Sequence, residues 1–400
     1  MNPRELTQAL KRYAAELGFA AVAVARAEPD PETRRVLRER IREGRLADMA
    51  AWFTEERADR ATDPARALPG ARSLVLAAAP YWHQTPPPAG DEPRGRISRY
   101  AWGRDYHRAL ERPLKALARW LAEQVPGCRS RLLVDYGPVA ERAYAARSGM
   151  GWFGKHTNLL LPGRGSFVFL GELITTAELE PDPPLRKTCG ACRRCVDACP
   201  TGAIVDDYVV DAGRCIAYQT IENRGPIPRE FRPLMGDWIF GCDLCQDPCP
   251  VNLRFPSRGW DDFAAADAEA AAPALIPLLA LSEEAFRERF RGRPVLRAKR
   301  GGFLRNVCVA LGNLRDPRAV PALARSLADA DPLVRGHAAW ALGRIGGEGA
   351  RRALRDALPA ERDPWVREEL ALAAAACDGT PASAGPDPQA RAALVRWLDP

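Results

Sequence analysis

The sequence has no apolar run long enough to cross a membrane. Its longest apolar runs, such as FAAVAVA at 19–25, fall well short of the roughly 20 apolar residues that a transmembrane helix needs. The first segment, MNPRELTQALKRYAAEL, predicts a charged amphipathic helix and does not read as a secretion signal. With 400 residues, 46% of them hydrophobic, the chain has material for two or three domains and needs no disulfide framework. We therefore expect a soluble cytoplasmic protein with reduced thiols.

Cysteine is concentrated in one segment of the chain. The run CGACRRCVDACP places four cysteines at the spacing C-x2-C-x2-C-x3-C-P, and these are Cys189, Cys192, Cys195 and Cys199. This spacing is typical of iron–sulfur ligation. In the bacterial ferredoxin pattern, the first three thiolates hold one 4Fe-4S cluster and the fourth, next to proline, binds a second cluster. The run therefore predicts that a second half follows.

The second half is GCDLCQDPCP, and it is one cysteine short. It supplies Cys242, Cys245 and Cys249, but Ile239 occupies the place of the first cysteine. Cys215 is the only other cysteine between the two runs, so it is predicted to complete the set. The predicted ligands are Cys189, Cys192, Cys195 and Cys249 for the first cluster, and Cys199, Cys215, Cys242 and Cys245 for the second. Two zinc sites with four thiolates each are the alternative, which the spacing does not favour.

Three further cysteines have no partner spacing: Cys128, Cys308 and Cys377. We interpret them as small apolar residues.

Residues 1–180 alternate helical and strand patterns and predict an α/β layer domain. The predicted helices cover 4–17, 105–124 and 139–147, and the predicted strands cover 19–27, 72–81, 131–134 and a run from 167. Asp135 follows one of these strands at its carboxyl end, where α/β sheets place ligand-binding groups. The alternative reading of Asp135 is a helix N-cap, because Pro138 stands near the next helix start.

The rest of the chain divides into two parts. Residues 181–260 are rich in Gly, Pro and Cys and are predicted to be a ferredoxin-like module that folds largely around its two clusters. Residues 261–400 contain a repeat of about 30 residues, visible at 304–327, 334–358 and 366–375, with Asp-Pro turns at 316, 331 and 363. This pattern predicts an all-α solenoid of HEAT type, an architecture used mostly for binding.

Basic charge is concentrated in the predicted solenoid. The segment from Phe286 to Arg355 has sixteen Lys or Arg against five Asp or Glu, so it carries +11 while the rest of the chain carries −4. A local basic surface favours a polyanionic partner. A solvated solenoid face is the alternative, and a codon bias would also produce the observed preference for arginine over lysine.

The segment VDYGPVAERAYAARSGMGWFGKHTNLL at 134–160, the eight-cysteine module and the helical repeat together resemble the epoxyqueuosine reductase family. The resemblance covers nearly the whole chain. It implies reduction of epoxyqueuosine to queuosine at the wobble position of tRNA, with cobalamin and two 4Fe-4S clusters, by an enzyme related to reductive dehalogenases. Because the chain has no D-x-H-x-x-G motif, the resemblance implies base-off cob(II)alamin without a histidine ligand, bound in an α/β corrinoid-binding domain.

The resemblance also implies roles for single residues. Asp135 corresponds to the proton donor. The corrinoid-binding positions, which include Asp135, are Arg60, Asp135, Trp152, Lys155, Thr157, Asn158 and Ser166. His156 is expected to be solvated, without a role. In the basic segment, the expected tRNA contacts are Lys299, Arg300, Arg305 and Arg335. The chain is expected to act as a monomer that receives electrons from an unidentified low-potential donor.

Two other functions remain open at this point. A corrinoid reductive dehalogenase would use the same cofactors, but the sequence shows no export signal, and a small halogenated substrate needs no basic solenoid. A ferredoxin-type electron carrier docked through its HEAT array would need no chemistry of its own. However, the predicted α/β domain has about 180 residues, a size typical of a ligand-binding domain.

Overall fold

A four-stranded antiparallel sheet of order β1-β2-β7-β4 forms the centre of the first part of the chain in this computed structural model, which describes residues 1–86, 90–255 and 258–379. The elements of this part are α1 (Pro3–Glu16), β1 (Ala21–Arg26), α2 (Pro31–Arg42), α3 (Glu55–Ala61), α4 (Pro64–Ala67), β2 (Ser73–Pro80), β3 (Arg96–Ile97), α5 (Tyr106–Gln124), β4 (Ser130–Leu133), α6 (Glu141–Arg147), β5 (Trp152–Phe153), β6 (Leu159–Leu160) and β7 (Val168–Thr175). The mixed α and β composition confirms the expected fold class. Because every pairing in this sheet is antiparallel, the rule for ligand sites in parallel sheets does not apply.

Helices cover both faces of this sheet. On one face, α1 and α5 bury a leucine stripe that includes Leu10, Leu110 and Leu114. The helix α5 lies so close to β7 that a Cβ on Gly171 would come within 2.7 Å of the Leu114 side chain. On the other face, α6 buries Tyr144 against the sheet. The sheet, with its strands β4 and β7, is therefore packed between two helical layers.

The cysteine-rich segment is built from short elements. They are α7 (Arg194–Asp197), β8 (Ile204–Asp206), β9 (Val209–Val210), α8 (Ile216–Ile221), β10 (Trp238–Phe240) and α9 (Pro250–Arg254). The strand β10 pairs in parallel with β3, and Phe240 lies in one hydrophobic core with Phe303 and Val307 of the C-terminal part. The later part of this segment thus shares a core with the C-terminal part.

The C-terminal part is helical. Its elements are α10 (Ala268–Ala271), α11 (Leu275–Leu278), α12 (Glu283–Arg289), α13 (Lys299–Leu314), α14 (Val320–Ser326), α15 (Pro332–Ile345), α16 (Gly347–Ala357) and α17 (Pro364–Gly379). The Asp-Pro turns lie where the repeat predicts them, and Asp331 caps α15 by accepting from the Leu333 N–H at 2.9 Å. The part of the predicted third domain after residue 379 lies outside the described residues. Within the described residues, no helix combines the length and apolarity needed to span a membrane.

A buried ion pair ties the cysteine-rich segment to α17. Arg232, 1% exposed, donates two hydrogen bonds of 2.9 and 2.8 Å to Glu369, which is 3% exposed. The Glu369→Ala change leaves the Arg232 charge buried without its partner, so we expect the free energy of unfolding to fall by about 3–5 kcal/mol. Denaturant unfolding followed by circular dichroism measures this, with Glu368→Ala at the exposed neighbouring position as control. Equal stability of the two variants would contradict the prediction.

Candidate functional site

Asp135 occupies a loop of unusual backbone conformation. It lies two residues after the end of β4, has φ 57°, and leaves 56% of its side chain exposed. A positive φ is uncommon for a residue with a side chain, and such residues concentrate at functional sites. The helix α6 begins only at Glu141, with Ala140 at its N-cap position. The helix-cap reading of Asp135 is therefore wrong.

Two residues at the start of α5 complete the surroundings of Asp135. The Tyr106 hydroxyl donates a hydrogen bond to the Asp135 carboxylate, and His107 Nε2 lies 3.7 Å from Asp135 Oδ2. The other ring nitrogen of His107 is 2.7 Å from Asp105 Oδ1, which also caps the helix. Sequence analysis missed both residues. The available signal was an aspartate N-cap followed directly by Tyr and His, which together place two ring side chains at one helix end.

Aromatic rings connect this group to the sheet and to solvent. The Tyr106 ring stacks on Phe169 of β7 at 4.4 Å between centroids, and His107 stacks on Tyr136 at 5.3 Å. Burial, and then the charge of Asp135, raise the pKa of Tyr106 above its ordinary value. The Tyr106 phenol thus stays protonated and donates to Asp135. Tyr136 is 61% exposed and presents a free ring surface next to the carboxylate.

A pair of glutamates lies under the same loop. Glu172 of β7 is 1% exposed and stands opposite Leu133 of β4, and its carboxyl lies near that of Glu141, the first residue of α6. Burial raises the pKa of both groups, and that of Glu172 well above its ordinary value. Three carboxyl groups therefore meet at one end of the sheet.

The eight cysteines fall into two groups in space. Cys195 interacts electrostatically with Cys189, Cys249 and Cys192. In the other group, Cys245 interacts with Cys215 and Cys199, and Cys242 interacts with Cys245 and Cys215. Cys215 lies near Cys199, and Cys245 also interacts with Cys195, so the two groups are neighbours. Burial raises the pKa of Cys215, Cys242 and Cys245, which are partly buried. The division of the eight cysteines between two clusters stays a prediction.

Among the described residues, no group of three or more His, Cys, Asp or Glu side chains is arranged to hold a metal ion. The other three cysteines are outside these groups, and Cys308 and Cys377 are buried in the helical core, as expected.

Three of the predicted corrinoid-binding residues are buried at the contact between the sheet and the cysteine-rich segment. Trp152 packs with Cys249 and Cys189, and its indole N–H is buried without a hydrogen-bond partner among the described residues. Lys155 Nζ lies 2.8 Å from Asp207 Oδ2 in the β8–β9 turn. The Ser166 hydroxyl donates to Gln246 Oε1 at 2.9 Å. An unpartnered buried indole N–H fits a bound group that carries amide acceptors, as the side chains of a corrin do.

His156 and the remaining predicted corrinoid-binding residues differ in their burial and contacts. Thr157 adopts φ 65° in the turn between β5 and β6, and the Asn158 N–H donates to His156 Nδ1 at 3.1 Å. His156 is 4% exposed and burial lowers its pKa to about 4, so the expectation of a solvated histidine is wrong. Arg60 is half exposed on α3 and forms an ion pair with Glu56 at 3.7 Å.

The predicted tRNA contacts do not form one surface. Lys299 is exposed, whereas Arg300 is paired with Asp329 at 2.6 Å and Arg335 with Glu361 at 2.7 Å. Arg305 is 0% exposed and donates to three backbone carbonyls of the cysteine-rich segment, those of Gln219, Asn223 and Gly225. Because no atom of Arg305 reaches solvent, its expected contact with tRNA is wrong.

An arginine that the sequence analysis did not single out, Arg297, lies near Asp135. Arg297 is 55% exposed and forms two hydrogen bonds to Glu222, of 2.9 and 2.8 Å. It is near enough to Asp135 to interact with the charge of that carboxylate. The side chains around Asp135 therefore come from the sheet domain, the cysteine-rich segment and the helical part.

Three family models match the chain: epoxyqueuosine reductase QueG at 60–136, a 4Fe-4S double cluster binding domain at 188–252, and HEAT repeats at 296–375. The epoxyqueuosine reductase of Bacillus cereus is 34% identical over 381 residues, which cover 92% of this chain and 97% of the relative. An epoxyqueuosine reductase bound to a tRNA-Tyr epoxyqueuosine-modified stem loop superposes with TM-score 0.88 and 33% identity, covering 94% and 99% of the two chains.

The Bacillus subtilis epoxyqueuosine reductase, in a structure whose aspartate catalytic loop is swung out of the active site, superposes with TM-score 0.85 and 32% identity. That superposition covers 93% of this chain and 99% of the other.

Proposed function

The chain belongs to the epoxyqueuosine reductase family, and we propose that it reduces epoxyqueuosine to queuosine at the wobble position of tRNA. The observation that carries this proposal is the exposed Asp135 carboxylate, hydrogen-bonded to Tyr106 at the meeting point of all three parts of the chain. A relative with a bound tRNA stem loop covers nearly the whole chain. The dehalogenase and electron-carrier alternatives have no comparable support.

The chain contains a 4Fe-4S double cluster domain. We propose that Cys189, Cys192, Cys195 and Cys249 ligate one cluster and that Cys199, Cys215, Cys242 and Cys245 ligate the other. Cobalamin, bound base-off without a histidine ligand, would supply the strong reductant that acts on the epoxide, with electrons delivered singly through the clusters. Trp152, Thr157 and Asn158 would contact the corrin. Lys155 and Ser166 would fix the position of the segment that carries Trp152, Thr157 and Asn158, because their polar atoms already bind Asp207 and Gln246.

The reaction needs a proton donor at the oxygen that leaves. Conversion of the epoxide to an alkene removes one oxygen and consumes two electrons and two protons. We propose that Asp135 protonates the oxygen, because its carboxyl is exposed to an incoming substrate while Tyr106 and His107 fix its orientation. Tyr136 would stack on a nucleobase, as exposed aromatic rings do in proteins that bind unpaired RNA bases.

We propose that two exposed cations, Lys299 and Arg297, contact the tRNA backbone. Arg297 is included because it interacts with the Asp135 carboxylate. We expect the double change of Arg297→Glu and Lys299→Glu to weaken tRNA binding roughly 10-fold or more at moderate salt and to flatten the plot of log affinity against log salt concentration by up to about 0.9 per lost contact. Fluorescence anisotropy with a labelled anticodon stem loop measures both quantities.

The control for this experiment reverses two exposed arginines on α16, Arg352→Glu and Arg355→Glu. It makes the same change in net charge away from Asp135. Iron content and circular dichroism should match the native protein in both variants. Equal losses of affinity in the two variants would show that net charge, and not this surface, governs binding.

The test of the whole proposal is anaerobic reconstitution with cobalamin, iron and a low-potential reductant, followed by mass analysis of nucleosides from epoxyqueuosine-containing tRNA. The expected signature is a product that has lost one oxygen. Dehalogenation of an aryl halide without action on the tRNA would favour the dehalogenase alternative. Because tRNA is the proposed substrate, we place the activity in the cytoplasm, with the chain acting as a monomer that accepts electrons from a separate low-potential donor.

A further inference from the structure

The buried glutamate pair under Asp135 has no role in the function proposed so far. Glu172 is the charged residue of β7, a strand otherwise made of apolar and small residues and Thr175. Its Oε1 atom is buried and has no conventional donor among the described residues. The Glu141 carboxyl lies near it, and both carboxyls are close enough to Asp135 to interact with its charge. Glu172 also stands opposite Leu133 at the end of β4, so the pair lies beside the loop that carries Asp135.

Two carboxylates cannot hydrogen-bond to each other without a proton, because an ionised carboxylate only accepts. The charged groups that face Glu172 are Glu141 and Asp135, and both are acidic. Glu141 faces Asp135, Glu172 and the Arg142 guanidinium, and it interacts more weakly with Tyr106. Burial and like charge thus favour one retained proton shared between the two glutamates, as in other close carboxyl pairs.

The chemistry of the proposed reaction calls for such a proton. Two C–O bonds break, a C=C bond forms, and the oxygen leaves as water after taking up two protons and two electrons. The electrons come from the low-potential donor through the clusters. Asp135 can carry only one proton at a time, and substrate bound over its exposed side would limit direct access to solvent.

We propose that Glu141 and Glu172 hold the second proton and pass it through Asp135 to the departing oxygen. This inference rests on the proposed function. After Asp135 has protonated the oxygen once, its carboxylate accepts the shared proton and delivers it to the hydroxide that is leaving. The overall transfer is favourable because hydroxide binds a proton far more tightly than a carboxylate does. The two glutamates are then positioning residues that act through Asp135.

The test is the Glu172→Gln variant in the reconstituted enzyme. The amide keeps the shape and a hydrogen bond to Glu141 but holds no transferable proton. We expect kcat to fall about 10-fold at pH 8 and much less at pH 6, because the second proton must then come from solvent, while KM for the tRNA stays unchanged. The alkaline limb of the pH profile should move to lower pH. Glu178→Gln, an exposed change shortly after β7, is the matched control and should leave the limb in place.

A second measurement is the stability of the reconstituted protein in the absence of tRNA. In the folded state the pKa of Glu172 is raised above its ordinary value of 4.5, so the native state binds more protons than the unfolded state. The stability from this proton is complete below that value and is lost as the pH rises through the folded pKa. Unfolding at several pH values should therefore show a smaller decline in stability with pH for Glu172→Gln. If this variant does not fold, Glu141→Gln at the less buried partner replaces it.

The outcomes separate this inference from the proposed function. If the native enzyme does not reduce epoxyqueuosine, the proposed function fails, whereas the stability measurement still reports whether the pair holds a proton. If the native enzyme is active and Glu172→Gln has an unchanged alkaline limb, the proton-holding role is wrong. An equal loss of kcat at every pH would also overturn it, because that is the effect of a purely structural change.

Discussion

Asp135→Asn is expected to lower turnover of epoxyqueuosine-containing tRNA by roughly 10²-fold or more, the usual scale for a positioned general acid. The amide fits the same space and can still accept the hydrogen bond from the Tyr106 hydroxyl, so the loop should keep its conformation. What is lost is the proton that the leaving oxygen needs. Single-turnover kinetics under anaerobic conditions, with product nucleosides counted by mass spectrometry, measure the chemical step directly.

Binding should survive this change. Iron content, the absorption of bound corrinoid and the affinity for an anticodon stem loop are expected to equal those of the native protein. Tyr106→Phe is the companion variant, since it keeps the ring stacked on Phe169 and removes only the hydroxyl. Its loss should be smaller than that of Asp135→Asn. Normal single-turnover rates for Asp135→Asn would remove Asp135 from the chemistry and leave it as a residue of the loop.

The position of Asp135 is predictable from the sequence, whereas its neighbours are not. A strand followed by a Gly-Pro turn places Asp135 at a strand end, and that local pattern is enough. Tyr106 meets Asp135 only because α5 packs across the sheet and brings together residues 29 positions apart. Glu172 lies in an apolar run that reads correctly as a strand. Glu172 is the one acidic residue in that strand, and this was the available sequence signal for a special role.

The basic residues of the helical part show how tertiary packing overrides a surface pattern. Arg305 and Arg335 stand one repeat apart, and their periodicity suggests a shared exposed face. Arg305 instead turns into the contact with the cysteine-rich segment, where backbone carbonyls accept its guanidinium hydrogen bonds. Sequence periodicity shows which residues share a helix face, but which face is covered depends on a neighbouring segment about 80 residues away.

The cysteine-rich module is predictable from the sequence because cluster ligands follow local spacing, and the matched double-cluster domain covers 188–252. The ligand that spacing alone does not supply is Cys215, which was assigned by elimination. In the structure it follows the 3₁₀ turn Ala212–Arg214 at the start of α8 and interacts with Cys199. Because Cys215 lies beside the second group of thiols, we expect its substitution to have a large effect on iron content and activity.

Cys215→Ser should remove one cluster and spare the other. A serine hydroxyl is a poor replacement for a thiolate, and Cys215 belongs to only one of the two groups. The iron content of the reconstituted protein should therefore fall from about eight to about four per chain, and the EPR spectrum of the reduced protein should simplify to that of a single cluster. Reduction of epoxyqueuosine should stop, because electrons would no longer pass between the two clusters.

Cys128→Ser, at a cysteine outside both groups, should keep full iron and activity. Full iron and an unchanged spectrum in Cys215→Ser would show that another side chain completes the second cluster.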